Sequence, residues 1–188
     1  MSIAVKRQIK ESARCLSDIV WPEICEMCGG GKLISVESVT ASPFAKKLDT
    51  LAGIDAWQVS NEMMLRGIAS RVQYEPDVYP TFTIRASLPS GYNTELQKRL
   101  KAIEELQRGW LFPTLTIQAY LSEDHTRFIQ AAIVKTKELI LEAEKKFKRG
   151  MDIRLAPDGR EFVVVWWREL QDAGIRVEIE YGETKELT

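Results

Sequence analysis

The period of the apolar positions changes along this chain, and each change marks an element. Over residues 3–20, Ile3, Ile9, Ala13, Leu16 and Ile19 or Val20 fall roughly on one face at helical spacing, with Pro22 near the end of the run. Cys25 to Lys32 reads CEMCGGGK, and three consecutive glycines predict a flexible turn. Leu33 to Val39 alternates as a strand does. Residues 42–50, SPFAKKLDT, predict a short helix with Ser42 as N-cap and Pro43 at the first helical position. Alternating runs follow at about 53–59, 65–73 and 80–87, and their short joins predict an antiparallel meander.

Thr94 and Gln97 have the spacing of a capping box, and Leu96, Leu100, Ile103 and Leu106 form an amphipathic stripe behind it. Thr114 to Leu121 predicts a further strand. A long helix is expected from about Glu123 to Arg149, with Phe128, Ala132, Leu139, Ile140, Ala143 and Phe147 inward and a basic last turn before Gly150. Pro157 to Gly159 predicts a hairpin turn between strands at about 151–155 and 160–168, which puts Trp166 and Trp167 on opposite sides of one strand. A last strand covers Ile175 to Tyr181. The sum is one α+β domain with a central mixed β-sheet flanked by helices. Its parts are an N-terminal helical segment and turn over 1–32, a core over 33–121, and a helix with C-terminal strands over 122–188.

At 188 residues the chain can bury one substantial core. Its 26 basic and 27 acidic side chains exclude a strongly basic coat, so any polyanion must meet a local patch. No apolar run approaches the length of a membrane span, so no membrane partner is expected. The first sixteen residues lack a secretory pattern, and three cysteines, an odd number, argue against a disulfide framework. Both point to a reducing, cytoplasmic setting.

The candidate chemistry lies in LDTLAGIDAWQV and LRGIASRVQ. Asp55 enters a strand from a glycine turn, and Arg71 and Gln73 share one face of the next. A carboxylate facing polar groups on a neighbouring strand can hold a divalent metal, with a cation nearby to stabilise developing charge. Magnesium needs only two or three hard oxygen ligands, and Glu37 supplies a second acid upstream.

GID followed by GIASRVQ resembles the PD-(D/E)XK nuclease superfamily, over roughly Glu37 to Gln73. The resemblance implies a restriction-endonuclease-like core and Mg²⁺ or Mn²⁺ held by Asp55 and Glu37. It places Arg71 in the lysine position, and Gln73 as a substitute ligand or water-positioner. The chain departs from the family at two points. Ala69 stands where a metal-binding acid or glutamine belongs, and arginine cannot readily lose a proton to act as a base. The implied site is therefore either rearranged or inactive.

Cys25 and Cys28 have half of a zinc spacing without the other half, so zinc is not expected. His125, the sole histidine, reads as an exposed residue at a helix start, and no nucleophile elbow accompanies it. Lys98, Arg99 and Lys101 cluster on the polar side of one helix and are candidates for contact with a phosphate backbone. Two functions fit these features. One is a nucleic-acid-acting or nucleic-acid-binding protein in DNA processing, defence or counter-defence by a mobile element. The other is a non-enzymatic module that docks a protein partner on the same kind of sheet.

Overall fold

The computed structural model describes residues 11–36, 52–62, 64–74, 78–91 and 94–182. Glu37 and the helix expected over 42–50 lie outside the described residues. Helix α1 is helical over 11–24, with a π-helical turn at Leu16–Val20 and a last turn at Trp21–Ile24. Strands β1 (Lys32–Ser35), β2 (Ala56–Val59) and β3 (Leu65–Tyr74) form an antiparallel meander. Strand β4 (Thr81–Ser87) and helix α2 (Glu95–Glu104) follow, then β5 (Leu115–Leu121) and β6 (Phe128–Lys135). Helix α3 (Thr136–Arg149), β7 (Ile153–Leu155), β8 (Glu161–Trp166), α4 (Trp167–Asp172) and β9 (Val177–Tyr181) complete the chain.

Six strands make one mixed sheet in the order β1-β2-β3-β5-β6-β9, and β4-β8-β7 make a second. The parallel pair β3 and β5 governs the topology, because parallel neighbours need a long crossover. That crossover carries β4 and α2. The expected meander of 53–59, 65–73 and 80–87 therefore holds for its first two strands only. Strand β4 leaves the main sheet and pairs with β8, Phe82 opposite Val165 and Ile84 opposite Val163.

The main sheet is covered on both faces. Leu16, Val20 and Ile24 of α1 pack on Ile68, Val72, Ile117, Ala119 and Ile133. On the other face Tyr120, Ala132 and Val134 meet Leu139, Ile140 and Ala143 of α3 and Phe82, Ile84, Val163 and Val165 of the second sheet. Burial on both faces explains the error over 123–149. FIQAAIVK is a strand whose residues are almost all buried, so its apolar positions run on without alternation and read as helix. Phe128 and Ala132, four residues apart, added to the helical reading. Strand β6 pairs with β5, Ile117 opposite Ile133, and the helix begins only at Thr136.

The β5–β6 turn places His125 at φ +62°, inside a turn rather than a helix. There its Nδ1 lies 3.0 Å from Glu11 Oε1, and its ring stacks on Tyr74 with centroids 3.6 Å apart. The beginning of α4 at Trp167 corrects the strand expected to 168. Trp167 and Leu170, three residues apart, turn into the core together, while the Trp166 N–H donates to Glu169 Oε2 at 3.2 Å.

CEMCGGGK is a pinned turn. Gln58 Nε2 donates to the carbonyls of Cys28 and Gly30 at 2.8 and 2.7 Å. Gly31, at φ +96°, passes so close to Val59 that a Cβ would stand 2.1 Å from its carbonyl oxygen. No helix among the described residues is long and apolar enough to cross a membrane.

Lys146 ties the end of α3 to both following elements, with Nζ 2.6 Å from Asp152 Oδ2 and 2.6 Å from Glu169 Oε2. Burial pushes its pKa down, but hydrogen bonds and charges from both carboxylates outweigh that and raise it. Replacing it, Lys146→Met, should lower stability in urea titrations at pH 7 by about 1.5–3 kcal/mol, the range for hydrogen bonds to charged groups. A raised lysine contributes fully below its ordinary value of 10.5. The gap between wild type and variant should therefore stay constant through neutral pH and close as pH rises through the folded value.

Candidate functional site

A cleft of about 300 Å³ opens between the main sheet, β4 and the first turn of α2. The crossover creates it by carrying β4 and α2 over the polar face of β3 and β5. Asp55 precedes Ala56, whose partner is Ile68, so it stands beside Ala69 and Ser70. Its Oδ2 accepts the Ser70 N–H at 2.6 Å, and its own N–H donates to Ile68 O at 2.9 Å. From β3, Arg71 lies beside Gln118 of β5 in the register. It reaches across the cleft, donating to Thr83 Oγ1 and placing Nη2 3.5 Å from Glu95 Oε2.

Glu95 organises this region. It opens α2 directly after the N-cap Thr94, whose capping box with Gln97 is formed as its spacing predicts. Its carboxylate lies 3.1 Å from Arg99 Nη2 and accepts the Arg85 N–H at 3.4 Å. Burial pushes the Glu95 carboxyl up. The charges of Arg99 and Arg71, with the N–H and charge of Arg85, outweigh it and hold the pKa below its ordinary value. Arg99 is itself buried beneath Gly53, which sits at φ +62°, where a Cβ would come within 3.4 Å of Arg99 Nη2. Phe162 of β8 lies outside the lining, with the guanidinium carbons of Arg71, Arg85 and Arg160 about 6 Å from its ring centre.

The expected site residues divide accordingly. Asp55, Arg71, Lys98 and Arg99 all line the cleft. Gln73 stands behind it, its Oε1 accepting 2.8 Å from Nε2 of the lining residue Gln118. Lys101 faces outward, with Nζ 5.6 Å from the ring centre of Trp110. Arg99 corrects the surface-patch reading, because it is on the inward side of α2 with Leu96 and Ala102. Sequence reading missed Glu95, Arg85 and Gln118. Thr83 and Arg85 alternate with Phe82 and Ile84, so a polar face of β4 was visible, but its destination was not.

Asp55 faces a methyl group at Ala69, and Glu95 already has arginine partners. Among the described residues no group of three or more His, Cys, Asp or Glu side chains is placed to hold a metal. The cysteines make separate contacts. Cys25 Sγ donates to Gly31 O at 3.4 Å, and Cys28 is buried, its thiol pushed up to about 12 by burial and by the neighbouring Cys25 and Glu178. The chain matches no protein-family model, and neither a curated protein nor a solved structure matches it.

Replacing Glu95 by glutamine should cost about 2 kcal/mol at pH 7. A fully buried pair loses ~3–5 when broken, and this carboxylate retains 24% of its exposure. A depressed carboxyl contributes stability above its unfolded value near 4.5 and loses it as pH falls through the folded value. Melts of wild type and Glu95→Gln should therefore converge on acidification and stay apart near neutrality.

The raised Cys28 thiol and the complete burial of Cys15 carry a labelling prediction. A thiol reagent at pH 8 should modify Cys25 alone in the native protein and all three cysteines in denaturant, read by intact mass.

Proposed function

We propose that this protein binds nucleic acid through the cleft, on a restriction-endonuclease-like scaffold whose catalytic position has become an arginine-rich anion site. The observation that carries the reading is the convergence of Arg71, Arg85, Lys98 and Arg99 on one cleft of a chain with net charge −1. Such local excess is what a phosphate group requires when the whole surface offers no field. The rim supports a single strand. Lys98 and Lys101 lie nearly one turn apart on α2, and Trp110 beside Lys101 is 47% exposed, a basic and aromatic edge suited to an unstacked base. A role in DNA processing, defence or counter-defence rests on the family resemblance alone.

A second reading keeps catalysis, with Mg²⁺ or Mn²⁺ on Asp55 and Glu37. The register that sets Asp55 beside Ala69, two residues before Arg71 on the same strand face, favours it. The missing acid at position 69 counts against it.

Fluorescence anisotropy with single-stranded and duplex oligonucleotides decides between these readings. Affinity should fall steeply with salt, and Lys98→Ala should weaken binding several-fold and reduce the salt slope by about one, the signature of one phosphate contact. Incubation with Mn²⁺ should leave the oligonucleotides intact. Cleavage abolished by Asp55→Ala would establish the catalytic reading instead. No binding to any nucleic acid at low salt would overturn both and leave a protein partner as the occupant of the sheet.

A further inference from the structure

We propose that the cleft holds a single phosphomonoester, with the Arg99 guanidinium as its principal ligand, so that the protein engages the phosphorylated end of a strand rather than its internal backbone. This rests on the nucleic-acid reading above for the identity of the strand, but the phosphate subsite has its own support.

The first support is an unsatisfied cation. The Arg99 side chain is only 8% exposed, and only its Nη2 reaches Glu95. Its Nε and Nη1 are buried with no hydrogen-bond partner, and Arg85 Nε is in the same condition. Buried donors without partners are uncommon, and those on a charged group are the most costly to leave so. An anion in the cleft would offer an acceptor to one edge of the Arg99 guanidinium, whose planar donors suit phosphate oxygens.

The second support is charge. Among the described lining residues four basic side chains, Arg71, Arg85, Lys98 and Arg99, outnumber two carboxylates, Asp55 and Glu95. A diester carries one negative charge, whereas a phosphomonoester carries about −1.5 to −2 at neutral pH. A surplus of basic groups favours the more highly charged monoester. The cations also repel one another: burial and the charges of Arg160 and Arg71 lower the Arg85 pKa, and a dianion would relieve that strain.

Size is the third. About 300 Å³ stands at the lower bound of small-molecule pockets, room for one terminal nucleotide and not for a duplex. Gly53, at φ +62°, lies against the Arg99 guanidinium on the cleft wall, so a Cβ there would be in contact with Nη2.

The test measures the full chain against one 12-nucleotide single strand bearing a 5′-hydroxyl, a 5′-phosphate or a 3′-phosphate, by anisotropy, and against inorganic phosphate by thermal shift. One phosphorylated end should bind at least about tenfold more tightly than the hydroxyl end, and phosphate should raise the melting temperature and compete. Arg99→Lys keeps the charge beside Glu95 but loses the fork, and should reduce the preference to within about twofold. If that variant does not fold, the paired Arg99→Gln/Glu95→Gln chain removes both charges together and should likewise lose the preference. Equal affinity for all three ends would overturn the inference while leaving nucleic-acid binding intact. An Arg99-dependent thermal shift with phosphate but no binding of any strand would support the subsite and overturn the proposed function. Absence of both effects would overturn both.

Discussion

One carboxylate holds the cleft in register. Glu95 stands at the start of α2, where the helix dipole favours negative charge, and it meets Arg99 of its own helix, Arg71 of β3 and the backbone of β4. Three consecutive elements are thereby fixed to one group. A salt bridge at this depth adds little net stability, because desolvation offsets much of the attraction. It supplies geometry instead. The arginines point toward the cleft because the carboxylate gives them a reason to stay there.

The polar contents of that region depend in turn on the parallel pairing of β3 and β5. An antiparallel hairpin would have closed with a short turn and left the Arg71 face to solvent or to a helix. The parallel arrangement demands a crossover, and this crossover is long enough to hold a strand and a helix. Strand β4 then recruits β8, and the second sheet roofs one end of the first. Apolar contact between the layers is made by Tyr120, Phe82 and Trp167. Beside them the face turns polar, with Arg71, Thr116 and Gln118, and the layers separate into a cleft.

The surroundings of Asp55 show that the place of an acid in a sheet does not by itself set the chemistry around it. The acid enters β2 from a glycine turn and lies beside β3. Its oxygen is engaged by the Ser70 N–H, which orients it. Across from it Ala69 offers nothing to a metal, and Arg71 is drawn toward Glu95. Among the described lining residues, basic side chains outnumber acidic ones.

Local signals determined much of this protein. The Thr94–Gln97 capping box, the PDG hairpin at 157–159, the basic turn before Gly150, and the alternation of β2, β3 and β5 are interactions between near neighbours, so they were legible residue by residue. Asp55 and Arg71 could be paired in advance because a short join makes their strands adjacent. What needed the tertiary structure was every choice settled by distant partners. FIQAAIVK became a strand because β5 and β9 flank it. Strand β4 left the meander because β8, some eighty residues away, offered it a better edge. Arg99 and Glu95 entered the site because the crossover turned the inner face of α2 onto it. Charge and periodicity reveal which residues share a face, but only the packing of one layer on another decides what that face meets.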